Sequence, residues 1–344
     1  MRYSVYTEEP TTEGFRLDHN PREDLGVVLV CLWANLTGKS GKSYNVMRAC
    51  QIPGKNESMN FGAYEVTGDL DSPGKLVYSF KDFPAVEDFR THQDGDAVVY
   101  EGNSFRFALG VNEFTWSDAG DNVQLDAQRL GQTVTYSVPQ QDGYEHPTME
   151  RSTMGKAVGR IGDDPVEGLF MIDLIYSRPD LTFGETMFTR KIHNYWMNWL
   201  IEYEDGELEG GFAWRGQPGS GFAAAHHYRD GVSHARADAR IDVERTERGS
   251  MQEVTLSLGS DVRVRFEQQG SYDWPIHTQG VAVETLRDKK IKNSWNYSEN
   301  FPLNWGLVEE YQTAYSNLYG RYPSLRGLLD GARVVDGKIV LEHK

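Results

Sequence analysis

Cysteine is scarce in this chain, and its scarcity narrows the chemistry at once. Two cysteines in 344 residues, Cys31 and Cys50, can build neither a disulfide framework nor a four-ligand zinc site. Cys31 sits inside the apolar run Val27-Val28-Leu29-Val30-Cys31-Leu32 and reads as a small buried hydrophobe. Positive charge is also short. Against 51 Asp+Glu there are 35 Lys+Arg, a net charge of -16 that repels phosphate backbones and anionic lipid headgroups, so neither nucleic acid nor a membrane surface is an expected partner. No apolar run approaches the ~18 residues of a membrane span, and Met1 to Pro10 lacks the apolar stretch of a secretory signal. The expectation is an acidic, soluble, cytoplasmic protein without membrane insertion, whose oligomeric state the composition leaves unknown.

Nucleotide and metal motifs are missing too. Gly38-Lys39-Ser40 and Gly41-Lys42-Ser43 resemble the end of a phosphate loop, but the earlier glycine it needs would fall on Trp33 or Leu36. Gly219 to Ala224 spells G-x-G-x-x-A with no βαβ pattern around it. There is no H-E-x-x-H, and His226 and His227, adjacent on a strand, would face opposite sides of a sheet. No metal and no nucleotide cofactor is expected.

What the chain has in abundance is alternation. Period-2 runs such as Lys75 to Phe80, Ser104 to Leu109, Gln132 to Val138, Val254 to Leu258 and Val262 to Phe266 read as strands with one wet face. The pairs Asp94-Gly95, Asp205-Gly206, Asp230-Gly231 and Asp336-Gly337 supply residues that tolerate positive φ in tight hairpins. With 35 glycines and 12% aromatics the pattern suits barrels or sandwiches, so the fold class is all-β and antiparallel. The clearest helix pattern is Leu307 to Tyr319, stopped by Gly320. Turn residues and charges between Gly143 and Gly168 separate two β-rich halves, which gives domains 1–154 and 155–344, the second ending in the helix and a hairpin.

Several groupings carry candidate chemistry. Tyr144, Glu145 and His146 gather a phenol, a carboxyl and an imidazole at a loop, and read either as an acid–base site or as a polar linker. In His193 to Trp199 an extended chain puts Asn194, Trp196 and Asn198 on one face and Tyr195, Met197 and Trp199 on the other. Asp173 is the sharpest case. Its strand, Gly168 to Tyr176, is apolar on both faces, so the carboxyl must be paired, hydrogen-bonded or raised in pKa, with Arg178 the nearest cation in sequence. Trp214 with Arg215, and Trp295 and Trp305 with Glu309 and Glu310, add aromatic faces beside acids, which could shelter a developing positive charge.

Gly155 to Gly159 followed by Val166 to Arg178, the strand Trp196 to Gly206 running into its Asp-Gly turn, and Asn304 to Tyr311 resemble the superfamily of AttH-like proteins and carotenoid 1,2-hydratase (hydroxyneurosporene synthase). Asp173 and Arg178 keep their places in that pattern; Leu174, Tyr176 and Ser177 stand where the family has a His and a Trp-Gly. The resemblance implies two lipocalin-like β-barrels. It also implies a hydratase- or cyclase-type lyase or isomerase that acts without metal or nucleotide on a terpenoid-, steroid- or polyketide-like molecule between the domains. On this reading Asp173, Glu309, Glu145 and His146 are candidate proton carriers, and Tyr144, Tyr176, Arg178, Asn194, Trp196, Asn198, Trp214 and Trp305 line the substrate site. The alternatives are a binding protein for a hydrophobic small molecule and a sugar-handling β-sandwich rich in Trp, Tyr and Asp.

Overall fold

The computed structural model describes residues 1–51, 59–72, 74–80, 90–102, 104–181, 183–188, 192–216, 219–247, 250–273, 276–300, 332–335 and 338–341. The first half of the chain forms β1 (Ser4–Glu8), β2 (Gly26–Gly38), β3 (Ser43–Gln51), β4 (Met59–Glu65), β5 (Lys75–Phe80), β6 (Arg90–Asp94), β7 (Ala97–Gly102), β8 (Phe105–Leu109), β9 (Glu113–Asp118), β10 (Val123–Val138), β11 (Thr148–Ile161) and β12 (Asp164–Ser177). The second forms β13 (Tyr195–Tyr203), β14 (Leu208–Arg215), β15 (Ala223–Arg229), β16 (Val232–Arg236), β17 (Ala239–Arg245), β18 (Met251–Leu258), β19 (Val262–Asp273), β20 (His277–Thr285), β21 (Ile291–Asn300), and the hairpin β22 (Ala332–Val335) and β23 (Lys338–Leu341).

Apart from the β22–β23 hairpin, which forms a small sheet of its own, these strands make two antiparallel sheets, each curled into a lipocalin-like half-barrel. In the first the order is β5-β4-β3-β2-β12-β11-β10-β9-β8-β7-β6, with β1 added to β10; in the second it is β16-β15-β14-β13-β21-β20-β19-β18-β17. The chain passes from one sheet to the other between Ser177 and Tyr195. Residue 155, where turn composition puts the domain boundary, lies within β11. The helix expected over Leu307 to Tyr319 and the turn Asp336-Gly337 lie outside the described residues. Among the described residues no helix is long and apolar enough to cross a membrane.

Alternation decides what each strand buries. In β8, Phe105, Phe107 and Leu109 point inward and Arg106 outward, as an ordinary one-sided strand requires. The long strands at the centre differ, because both their faces are covered. In β12, Phe170, Ile172, Leu174 and Tyr176 fill the first half-barrel, whereas Leu169, Met171 and Ile175 belong to a second core shared with the other sheet. In β13, Trp196 and Leu200 join that shared core, while Tyr195, Met197, Trp199 and Ile201 fill the second half-barrel. The molecule therefore has three apolar layers, and the middle one lies between the sheets.

Polar ties fix the two sheets across this middle layer. Asn35 Nδ2 donates to Asn198 Oδ1 at 2.7 Å, Trp295 Nε1 to Thr37 Oγ1 at 3.1 Å, and Lys156 Nζ to Glu202 Oε2 at 2.6 Å. At the irregularity in β10 between Leu130 and Val134, the Gln132 N–H donates to Ser233 Oγ at 2.8 Å. Gly131 beside it has φ +69, and a Cβ there would stand 2.1 Å from the same hydroxyl, so only glycine lets the sheets approach.

Candidate functional site

Period 2 sends the odd residues of β12 and the even residues of β11 into the middle layer, and this is why Asp173, Ser152 and Glu150 meet there. Cys31, Asp173 and Ser152 are direct register partners across β2, β12 and β11; one step along, Glu150 is opposite Tyr136. The serine hydroxyl donates to Asp173 Oδ1 in a short hydrogen bond and lies 3.4 Å from Glu150 Oε1, and Tyr136 donates its phenol proton to Glu150 Oε2 at 2.7 Å. One hydroxyl thus stands between two carboxyls.

The facing sheet supplies a second row. His277, Glu299, Trp196 and Trp214 are register partners in succession across β20, β21, β13 and β14. Glu299 Oε1 lies 3.6 Å from both His193 Nε2 and His277 Nε2, and Tyr297 donates to Glu299 Oε2 at 3.2 Å. Aromatic rings close the layer between the rows: Trp33 packs on Trp196 and Tyr297 at centroid distances of 5.6 and 5.2 Å, and Tyr136 meets Trp214 and Phe222 edge-on at 5.1 and 5.0 Å.

Burial sets the proton affinities. Asp173, 4% exposed, is pushed up to about 7: desolvation is the main cause, helped by the charge of Glu299 and opposed by the Ser152 hydrogen bond. Glu150 is raised well above the ordinary carboxyl range, again by desolvation first and then by Asp173. Burial would raise Glu299 too, but the His193 and His277 imidazoles outweigh it and hold the carboxyl below its ordinary value. Desolvation lowers His193. Two carboxyls raised by burial therefore face one held below its ordinary value, the separation of environments from which acid and base roles arise.

Several residues proposed from the sequence fall in this layer. Trp196 and Trp214 form part of its wall, and Asn198 bridges the sheets. Asn194, buried at the edge of β13, accepts from Asn300 Nδ2 through its carbonyl at 2.9 Å, and Tyr144 packs half-buried against the same core. Others are elsewhere. Arg178 is no partner of Asp173: it lies beyond the end of β12, exposed, with Nη2 donating to Asp180 Oδ2 at 2.8 Å, and the buried carboxyl takes its hydrogen bond from Ser152 instead. Tyr176, of the opposite parity to Asp173 on its strand, faces the first half-barrel, where its hydroxyl reaches Gly14 O at 3.5 Å. Glu145 is exposed, and His146 contacts Arg178 Nη1 at 3.5 Å rather than the carboxyl pair. Glu309 and Trp305 lie outside the described residues.

Glu150, Ser152, His193, Glu299 and His277 were not singled out from the sequence. Only the register of β11 on β12 and of β20 on β21 brings Glu150, Ser152, Glu299 and His277 into that layer, and His193 stands in the segment before β13. Among the described residues no group of three or more His, Cys, Asp or Glu side chains is arranged to hold a metal ion. A cavity of about 340 Å³ lies against β6 and β7, lined in part by Arg16, Asp18 and His92, and none of the interface carboxyls borders it.

No family model and no curated protein sequence matches the chain. Solved structures similar to it include an AttH-type protein from Nitrosomonas europaea, at 12% identity over 83% of this chain and 96% of that one, with a TM-score of 0.44. CghA is matched at 8% identity over 87% and 98% of the two chains with a TM-score of 0.45. Kievitone hydratase from Nectria haematococca is matched at 7% identity over 80% and 90%, with a TM-score of 0.38.

Proposed function

We propose that the protein is an acid–base lyase or isomerase, of hydratase or cyclase type, acting on a hydrophobic small molecule held between the two sheets. One observation carries this reading: Asp173 sits in an aromatic layer with a carboxyl raised to about 7, one hydroxyl away from a second raised carboxyl, Glu150. A general acid works best when its pKa lies near the working pH. In the proposed cycle Asp173 gives its proton to an alkene or a leaving hydroxyl; the cation that forms then loses a proton or takes up water, and the proton so released returns by way of Glu150 and the Ser152 hydroxyl to Asp173, leaving the acid pair as it began. Positive charge developing on the substrate is sheltered by the π faces of Trp33, Trp196 and Tyr297 and by the ionised Glu299. Terpenoid-, steroid- and polyketide-like molecules have the apolar bulk such walls suit.

A binding protein without chemistry is the second reading, favoured by the internal hydrogen bonds that Ser152 and Tyr136 already make to the acid pair. The test is to identify by mass spectrometry the molecule that co-purifies from the native host and then incubate it with fresh protein. Conversion that depends on Asp173 supports the enzyme. A molecule bound tightly and returned unchanged overturns it.

A further inference from the structure

The donors and acceptors of the middle layer are unevenly matched. Trp196 and Trp214 are register partners on β13 and β14, and Asn198 lies two residues along β13 on the same face. All three are buried, at 3%, 1% and 0% exposure. Trp196 Nε1, Trp214 Nε1 and Asn198 Nδ2 find no hydrogen-bond partner among the described residues, although Asn198 Oδ1 is taken by Asn35. A buried donor left unmade is destabilising, so three on one patch are a standing demand for acceptors. Among the described residues one other indole lacks a partner, Trp199 in the second half-barrel core, and Asn45 Oδ1 is an unpaired acceptor at the far end of the Asn45–Asn35–Asn198 chain; what distinguishes the middle layer is that three unpaired donors are grouped on one strand pair.

Water does not meet this demand easily, since a buried water itself needs two to four polar partners. The rings packed on these indoles are Trp33, Tyr297, Tyr136 and Phe212. An occupant with a flat apolar body and oxygen atoms at its edge satisfies both the walls and the donors. We infer that the molecule taken up between the sheets is an oxygenated one, presenting carbonyl, ether or hydroxyl oxygens to the Trp196, Trp214 and Asn198 donors, and not a pure hydrocarbon. This rests on the reading of the middle layer as the substrate site.

Fluorene and 9-fluorenone test it, being rigid tricycles of one shape that differ by a carbonyl. Isothermal titration of the full-length protein should show fluorenone binding about three- to tenfold more tightly, the worth of one net hydrogen bond. Resonance Raman spectra should show an indole N–H band shifted by fluorenone and left alone by fluorene. Trp196→Phe or Trp214→Phe keeps a ring and deletes the donor, and at least one of them should erase the preference; if neither variant folds, the wild-type comparison and the Raman shift decide alone. Equal affinities with an unmoved indole band overturn the donor patch while leaving an apolar site between the sheets. Failure of both probes to bind overturns the site itself.

Discussion

Ser152 and Asp173 face each other as register partners on β11 and β12, and the serine hydroxyl donates to the aspartate's Oδ1. Because that bond, and no arginine, holds the carboxyl, Asp173→Asn strands no buried counter-charge. We expect the variant to fold, to melt close to wild type in mildly acidic solution, and to lose about 10²–10⁴-fold in turnover, the usual worth of a placed proton donor. Turnover and melting should be measured on one preparation. A folded variant with wild-type turnover would remove Asp173 from the chemistry. Arg178→Ala is the companion control: its partner Asp180 is as exposed as itself, so neither melting nor turnover should move.

The same carboxyl sets a pH dependence whose sign is fixed. An unfolded aspartate releases its proton near pH 4, whereas folded Asp173 holds it to about 7, so between those values the native state carries the extra proton. Its contribution to stability is full below about pH 4 and is lost as pH rises to about 7. Glu150, also raised, pushes the same way. Asp173→Asn removes this slope, so the variant should gain on wild type between pH 5 and pH 8, by an amount on the order of a few kcal/mol. A melting-temperature difference that is equal at both pH values would contradict the assignment.

Much of this was legible in the sequence, and the reason is periodicity. Alternation and Asp-Gly turns show antiparallel strands wherever one face is wet, and the apolar run around Asp173 marks a strand buried on both faces. The parity rule also places Trp196 and Asn198 together, opposite Tyr195 and Met197. Register between strands was not legible. Glu150 looks like a surface residue until β11 is set against β12, and Glu299 until β21 is set between β13 and β20. Arg178 misleads because nearness in sequence says little about side chains past a strand's end.

Inside the first half-barrel, Arg48 and Asp118 form a pair of 1% and 0% exposure, with Arg48 Nη2 donating to Oδ1 at 2.6 Å and Trp116 Nε1 to Oδ2 at 3.0 Å. Arg48 also lies over the Phe105 ring at 4.1 Å. Asp118→Ala takes a bidentate carboxylate from the buried guanidinium and an acceptor from Trp116, so it should cost about 3–5 kcal/mol in urea unfolding. A loss under about 1 kcal/mol, the range of exposed pairs, would show the pair to be hydrated in solution.

The join between the sheets is tested at Asn35. Its side chain accepts from Asn45 Nδ2 and donates to Asn198 Oδ1, each at 2.7 Å, so a chain of buried amides runs from β3 through β2 to β13. Asn296 Nδ2 donates to the backbone carbonyl of Asn198 at 2.9 Å, a separate tie within the second sheet. Asn35→Ala should therefore strand groups on both sides of the interface and cost about 2–6 kcal/mol, from 1–3 for each. Asn198→Ala strands only Asn35 Nδ2 and also removes the unpartnered Asn198 Nδ2, so it should cost less, and because the two losses share one bond they cannot add in full. In a double-mutant cycle read by chemical unfolding, the pair should fall short of the sum by about 1 kcal/mol or more. Strict additivity would mean that these amides do not hold the sheets together in solution.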